Sequence, residues 1–338
     1  MRISVMDVGS NTVRLVVADA QGGMPLPVHT AKWRLRLAER VRPGERVPGD
    51  SVDRLAEAVA AAECTAARWG AADPLAFATA VVRSAPNRRE VLRSVRARTG
   101  VELCTLPGEV EAELTFLAAR RWMGWRAGPM ALLDIGGGSL EVAFGRGRLP
   151  DFAASLPLGA GRLTHEFLDG GLCPAPPERV KALRRTVRHG LRDVSARIRW
   201  EGPRTAVATS RTFQQLGRLC GAAPGRSGPF AQRLLHRADL RAAIDRLAGL
   251  SAAERALLPG ISPPRAAQSL AGALVGHTAM KLAGLRTVSV CPWAIREGLI
   301  LRYIEDGPSW WAQVRRLASE EGPPSGEPVP LRVAAARG

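Results

Sequence analysis

The stretch Asp7-Val8-Gly9-Ser10-Asn11-Thr12 recurs in design at Asp134-Ile135-Gly136-Gly137-Gly138-Ser139, an offset of 127 positions. In each copy an apolar run (Ile3 to Met6; Met130 to Leu133) ends in an aspartate, passes through small residues and resumes as an apolar strand (Val13 to Ala18; Leu140 to Phe144). That pattern predicts a β-hairpin with a tight tip. Small residues at the tip let backbone N–H groups approach an anion closely, and the strand-end acid can hold a hydrated cation beside it. Two such tips placed face to face make a clamp for phosphate. The match extends to a charged residue seven positions after each aspartate, Arg14 and Glu141, which implies two halves of one design.

A chain of 338 residues exceeds one comfortable core, so two domains are the natural partition. We place them at 1–126 and 127–305, with a disordered tail at 306–338 where Pro, Gly, Ser and Glu dominate. The net charge is +17, and only Lys32, Lys181 and Lys281 among the 48 basic residues are lysines. A field of that sign attracts polyanions, which makes nucleic acid, nucleotides and polyphosphate the candidate partners. Cys64, Cys104, Cys173, Cys220 and Cys291 are scattered and odd in number, so a disulfide framework or zinc site is not expected and a reducing cytoplasm is. The first motif starts too early to leave room for a secretory signal, and no apolar stretch reaches the roughly 18 residues of a membrane helix.

The remaining pattern is mixed α/β. In the first half we expect a helix following Ser51, a buried strand at Leu75 to Ala80, a helix at Arg88 to Arg98, a short strand at Val101 to Cys104 and a helix from Glu109 to Trp122. The second half reads as a meander through Asp151 to Ser155, an Arg-rich helix at Glu178 to Arg199, a strand at Arg204 to Ala208 and a helix through Phe213 and Leu216. Pro263 and Pro264 suit the opening of a long helix to Leu282, before a strand at Val288 to Val290 and a helix at Trp293 to Ile304. His165, His189, His236 and His277 show no metal spacing, and His29 falls in an expected loop. Trp122, Trp125, Trp293, Trp310 and Trp311 read as packing or tail residues.

The strings DVGSNTVRLVV, LLDIGGGSLEVAFG, ATAVVRSAPN and GEVEAELTFL, followed by SLPLGAGRLT, AVATSRTFQQLGRL and CPWAIREGLILR, resemble the exopolyphosphatase/guanosine pentaphosphate phosphohydrolase (Ppx/GppA) family. With RRWMGWRAG they resemble its short actinobacterial exopolyphosphatase branch. The resemblance implies two ribonuclease-H-like domains of the actin, sugar-kinase and Hsc70 superfold with an interdomain cleft. It also implies a magnesium-dependent hydrolase that releases terminal orthophosphate from inorganic polyphosphate. Longer family members carry an extra helical module, whose absence favours short chains. A homodimer is the family expectation.

Phosphoanhydride hydrolysis needs charge neutralisation, a positioned water and an acceptor for its proton. Gly9, Ser10, Asn11 and Thr12 on one side, and Gly136, Gly137, Gly138 and Ser139 on the other, are the candidate phosphate holders; the plainer alternative is that they are hairpin turns alone. Asp7, Asp134 and Glu141 would repel phosphate unless a cation intervenes, and Mg²⁺ favours such a mix of carboxylate, phosphate oxygen and water. Glu111 stands where the family motif places the glutamate expected to activate water, although acids at a helix start are also favoured by the macrodipole alone. Around it, Val110 replaces a usual acid and Glu113 a usual arginine. Arg83 could grip phosphate bidentately or remain a surface charge. In Thr209-Ser210-Arg211-Thr212, Arg211 takes the place of a glycine, so that turn must differ from its relatives.

Three alternatives to a polyphosphate hydrolase stay open on sequence: the guanosine pentaphosphate hydrolase that shares the chemistry, a phosphotransferase of the same superfold, and a non-catalytic binder of polyphosphate or nucleic acid. No base-stacking set of aromatics accompanies the basic runs, so specific nucleic-acid binding is not expected, nor is a membrane partner.

Overall fold

Strand-long apolar runs on both sides of each acid-headed turn form two hairpins, and each hairpin seeds a sheet. The structure is a computed structural model that describes residues 2–20, 25–35, 37–41, 44–71, 73–124, 127–228 and 231–320. In the first half β1 (Arg2–Val8), β2 (Thr12–Asp19) and β3 (Leu26–Arg34) form the meander. After it come α1 (Leu37–Arg40), α2 (Gly49–Arg68), β4 (Leu75–Ala78), α3 (Ala80–Arg83), α4 (Arg88–Thr99), β5 (Cys104–Thr105) and α5 (Gly108–Met123). The second half opens with the meander β6 (Met130–Ile135), β7 (Leu140–Gly145) and β8 (Phe152–Leu156), then α6 (Ala160–Phe167), α7 (Pro177–Glu201), β9 (Thr205–Thr209) and α8 (Ser210–Leu219). It closes with β10 (Leu234–His236), α9 (Arg237–Ala248), α10 (Ala252–Ala256), α11 (Ser269–Leu282), β11 (Thr287–Val290) and α12 (Ile295–Glu320).

The sheet orders are β3-β2-β1-β4-β5 and β10-β11-β9-β6-β7-β8. Each joins an antiparallel meander to strands parallel with its first one, β4 to β1 and β9 to β6. The parallel strands are apolar because both of their faces are covered. In the second sheet, residues of opposite parity face different layers: Leu133, Ile135, Leu140 and Val142 pack in the core beneath α7 and α11, while Met130, Leu132 and Ala143 pack against Phe116 and Leu117 of α5. Val110 and Leu114, on the opposite stripe of α5, join Ile3, Val5 and Phe77 of the first sheet. α5 therefore lies between the two sheets.

α12 lies there with it. A Cβ on Gly298 would sit 1.9 Å from the Leu114 carbonyl oxygen, so only glycine lets α12 approach α5 so closely. The helix also outruns the expected ordered region. It continues past 306 to Glu320, kinked where Gly307 takes φ 77° ahead of Pro308, because Trp311 and Val314 bury apolar surface against the first sheet's core. The Pro- and Gly-containing composition hid that driving force; residues 321–338 of the expected tail lie outside the described residues. α12 thus packs on the first sheet although its opening residues fall in the segment assigned to the second half.

Two smaller expectations also change. Pro263 and Pro264 open only a short 3₁₀ turn, Pro263–Arg265, and α11 starts at Ser269. The Ala267 carbonyl is taken by Arg255 Nη1 at 3.3 Å rather than by a continuing helix. His29 is on β3, stacked at 4.6 Å on Trp69, not in a loop. Trp125 lies outside the described residues. All five cysteines are free, and among the described residues no helix is long and apolar enough to cross a membrane.

Candidate active site

Both hairpin tips close with one bond: the Gly9 N–H donates to the Thr12 carbonyl at 2.9 Å, and the Gly136 N–H to the Ser139 carbonyl at 2.9 Å. Asp7 pairs across the ladder with Arg14, and Asp134 with Glu141, so the 127-position offset survives as strand register. The tips meet. A Cβ on Gly137 would lie 3.0 Å from Ser10 Oγ, and one on Gly138 2.7 Å from the Ala80 Cβ at the start of α3. The amides of Ser10, Asn11, Gly137, Gly138 and Ser139 have no acceptor among the described residues. Free N–H groups on two tips that meet are suited to holding an anion.

The second tip is braced from behind. The N–H groups of Ala160 and Arg162, at the start of α6, donate to the Gly136 and Gly137 carbonyls at 3.0 and 2.9 Å. A Cβ on Gly159 would lie 2.2 Å from the Gly138 carbonyl carbon, so this brace requires glycine. Arg296, opening α12, sets its Nη1 3.2 Å from Asp7 Oδ2, and its Nε is buried without a partner. Asp134 accepts a hydrogen bond from the Thr209 hydroxyl, which the β6–β9 register places beside it.

Glu111 and Glu141 are drawn together by helix-on-strand packing. A Cβ on Gly108 would come within 2.2 Å of the Ser155 Cβ, so the start of α5 sits directly on β8, and Ser155 Oγ donates to Glu141 Oε1 at 2.9 Å. Glu111 is buried and pairs with Arg83, whose Nη1 also donates to the Leu106 carbonyl at 2.7 Å. The cleft therefore concentrates four carboxylates. Burial raises the Glu111 pKa against the pull of Arg83, with Asp7 and Asp134 adding to the rise. Burial likewise raises Glu141, reinforced by Glu111 and Asp134. Asp134 is pushed up to about 6 by burial, opposed by the Thr209 hydroxyl. Asp7 is raised by burial, while Arg296 and Arg14 hold it back.

Cations border this acidic floor. Burial lowers Arg265 to about 10, helped by Arg14 and Arg211. Lys32 is lowered by its own desolvation and by Arg14, Arg34, Arg211 and Arg265. Ser210, preceding Arg211, has φ 78°, a left-handed conformation costly for a non-glycine residue. The turn keeps its strain one residue before the expected glycine position.

The structure brings the two tips together at Ser10 and Gly137 and sets Arg83, Glu111 and Glu141 near Asp7 and Asp134. Arg296, Thr209, Ser155 and Arg265 were missed; the CPWAIREGLILR string carried Arg296 with no local sign of its partner. Among the described residues no group of three or more His, Cys, Asp or Glu forms a ready metal cluster. The donors are nevertheless all hard oxygens, and the Asn11 Oδ1 is buried without a partner. That set suits a cation held by one or two carboxylates plus phosphate and water.

The profile of the Ppx/GppA phosphatase family matches residues 16–306. The chain belongs to the Ppx/GppA phosphatase family. It is 47% identical over 307 residues to exopolyphosphatase 1 of Mycobacterium tuberculosis, covering 90% of this chain and 89% of that one. It is 77% identical to an uncharacterised Streptomyces coelicolor protein over 99% of both chains. Its fold matches the crystal structure of an exopolyphosphatase from Cytophaga hutchinsonii with a TM-score of 0.82 at 20% identity, over 91% of this chain and 99% of that one. The two departures from the Ppx/GppA pattern beside Glu111 are absorbed by packing. Val110 is buried near Leu299 and Ile300, and Glu113 sets its Oε1 3.3 Å from Nη1 of the buried Arg302.

Proposed function

We propose that this chain is an exopolyphosphatase that releases terminal orthophosphate from inorganic polyphosphate by water attack. The observation that carries the reading is the contact between the two tips, with Glu111 buried behind them at raised pKa. Unsatisfied amides of Ser10, Asn11, Gly137, Gly138 and Ser139 hold the terminal phosphoryl oxygens. Arg83 is positioned to neutralise charge that builds on the transferred group. Glu111 accepts the proton of the attacking water, a task suited to a carboxylate whose pKa has moved towards neutrality.

Asp7, Asp134 and Glu141 would hold Mg²⁺ together with substrate oxygens. When bound, the ion neutralises phosphate charge that these acids would otherwise repel. Without it, the buried Glu111 and Glu141 and the partly buried Asp7 and Asp134 face, among the described residues, only Arg83 and Arg296 as directly paired cations.

Guanosine pentaphosphate is the second reading, and the rim cations Arg14, Arg211 and Arg265 favour it by offering a place for a further phosphate group. Phosphate release measured with tri-, tetra- and long-chain polyphosphate, guanosine pentaphosphate and ATP, each with magnesium or chelator, ranks these substrates. Turnover is expected on polyphosphate, highest on short chains and absent in chelator. Release from none of them would sink the hydrolase reading. We place the enzyme in the cytoplasm and expect a homodimer, which sedimentation tests.

A further inference from the structure

Away from the cleft, α7 is strongly one-sided in charge. It carries eight Arg or Lys against three Asp or Glu. Leu183, Val187, Leu191 and Ile198 turn inward, while Lys181, Arg184 and Arg188 recur at i, i+3 and i+7 on the outer side. Like charges at that spacing repel, so nothing in helix stability selects them. Lys181 and Arg184 border a shallow groove of about 400 Å³ whose floor is Ala175, Pro177, Val180, Ala248 and Gly249.

The charge continues across α11 and α9. His277 on α11 is half-buried, and burial together with Arg241, Arg184, Lys281 and Arg237 depresses its pKa to about 4, which marks how closely these cations gather around it. Asp245 takes Arg241 at 3.7 Å on its own helix. Lys181, Arg184 and Lys281 have no ion-pair partner among the described residues. α11 connects this face to the cleft. Near its start Gly272 abuts Thr212 of α8, with Ala160 of the loop brace next to it, and Lys281 follows about 14 Å further along the helix.

We propose that Lys181, Arg184, Lys281, Arg237 and Arg241 form a second polyanion site that holds a distal stretch of a polyphosphate chain whose end lies in the cleft. The inference rests on the polyphosphate reading above. No aromatic side chain borders the groove, so it offers polyphosphate its charges but offers nucleic acid no stacking surface. The site adds binding affinity for long chains that tripolyphosphate is too short to gain, and leaves turnover at the chain end to the cleft.

The test is binding of fluorescently labelled long-chain polyphosphate to the full chain carrying Glu111→Gln, so that the probe is not consumed, at several salt concentrations. Combined Lys181→Glu, Arg184→Glu and Lys281→Glu substitutions are expected to weaken long-chain binding about tenfold or more. They should also flatten the log–log salt dependence by roughly 2 units, about 0.7 for each lost contact. Tripolyphosphate affinity is expected to change less than about twofold in the same competition assay. If charge reversal unfolds the protein, the glutamine triple variant reads the same slope. An unchanged long-chain affinity overturns the proposal. An equal loss for tripolyphosphate does so too, because it marks a general field effect. Equal competition by single-stranded RNA of matched charge would reassign the face to nucleic acid. Phosphate release by the unsubstituted enzyme reports separately on the hydrolase reading.

Discussion

Arg296 Nη1 stands 3.2 Å from Asp7 Oδ2, joining the first turn of α12 to the end of β1 across 289 positions of sequence. Both side chains are largely buried, at 19% and 15% exposure, so each is the other's main compensation for lost water. Arg296→Gln leaves Asp7 without it. In chelator the variant is expected to lose about 1–3 kcal/mol of stability. Urea midpoints measured with and without Mg²⁺ check this, since the ion should restore part of the loss; an unchanged midpoint in chelator would show that the pair contributes nothing.

Glu111→Gln keeps the shape of the side chain and removes its basicity. Steady-state kinetics should show kcat lower by about 10²–10⁴-fold with KM little moved. Retention of wild-type turnover with an unchanged circular dichroism spectrum would remove Glu111 from proton transfer.

The folded-state pKa of Asp134 is pushed by burial up to about 6, above the ordinary aspartate value of 3.8. A raised carboxylate pKa means the folded state binds its proton more tightly than the unfolded chain does. The stabilisation is therefore complete below pH 3.8 and is lost as pH rises through about 6. In chelator this one group should lower unfolding free energy by up to about 3 kcal/mol between pH 4 and 7. Asp134→Asn should flatten that part of the profile while abolishing activity; parallel profiles for the two proteins would refute the assignment.

Gly159 stands against the second tip with no room for a methyl group. Gly159→Ala must displace Gly138 and Ser139, at a cost of about 1–3 kcal/mol. Because the displaced groups include phosphate-holding amides, kcat/KM should drop by at least about tenfold. A variant as active as wild type would mean that α6 does not set the position of the tip.

Much of this was legible in the chain itself. Apolar runs on both sides of Asp7 and Asp134 foretold both hairpins, and the shared offset, read only as a repeat, proved to place Arg14 and Glu141 opposite the acids. These are nearest-neighbour properties of a two-residue turn, where spacing alone fixes the partner. Arg296, Thr209, Ser155 and Arg265 escaped notice because each meets the site through packing between elements distant in sequence. The end of the chain misled for a related reason. Gly307 and Pro308 advertise a break, yet Trp311 and Val314 recover the entropy of ordering by covering the first sheet.

The residue order by itself determined the two acid-headed tips, their free amides and their matched register, since backbone geometry over a few residues needs no distant partner. Only the tertiary structure decided that the tips touch and that Glu111 stands behind them paired with Arg83. It alone decided, too, that burial raises the pKa of the cleft acids. Those outcomes depend on α5 and α12 lying between the two sheets, where exclusion of water, a collective property of packing, sets the energy of every charge in the cleft.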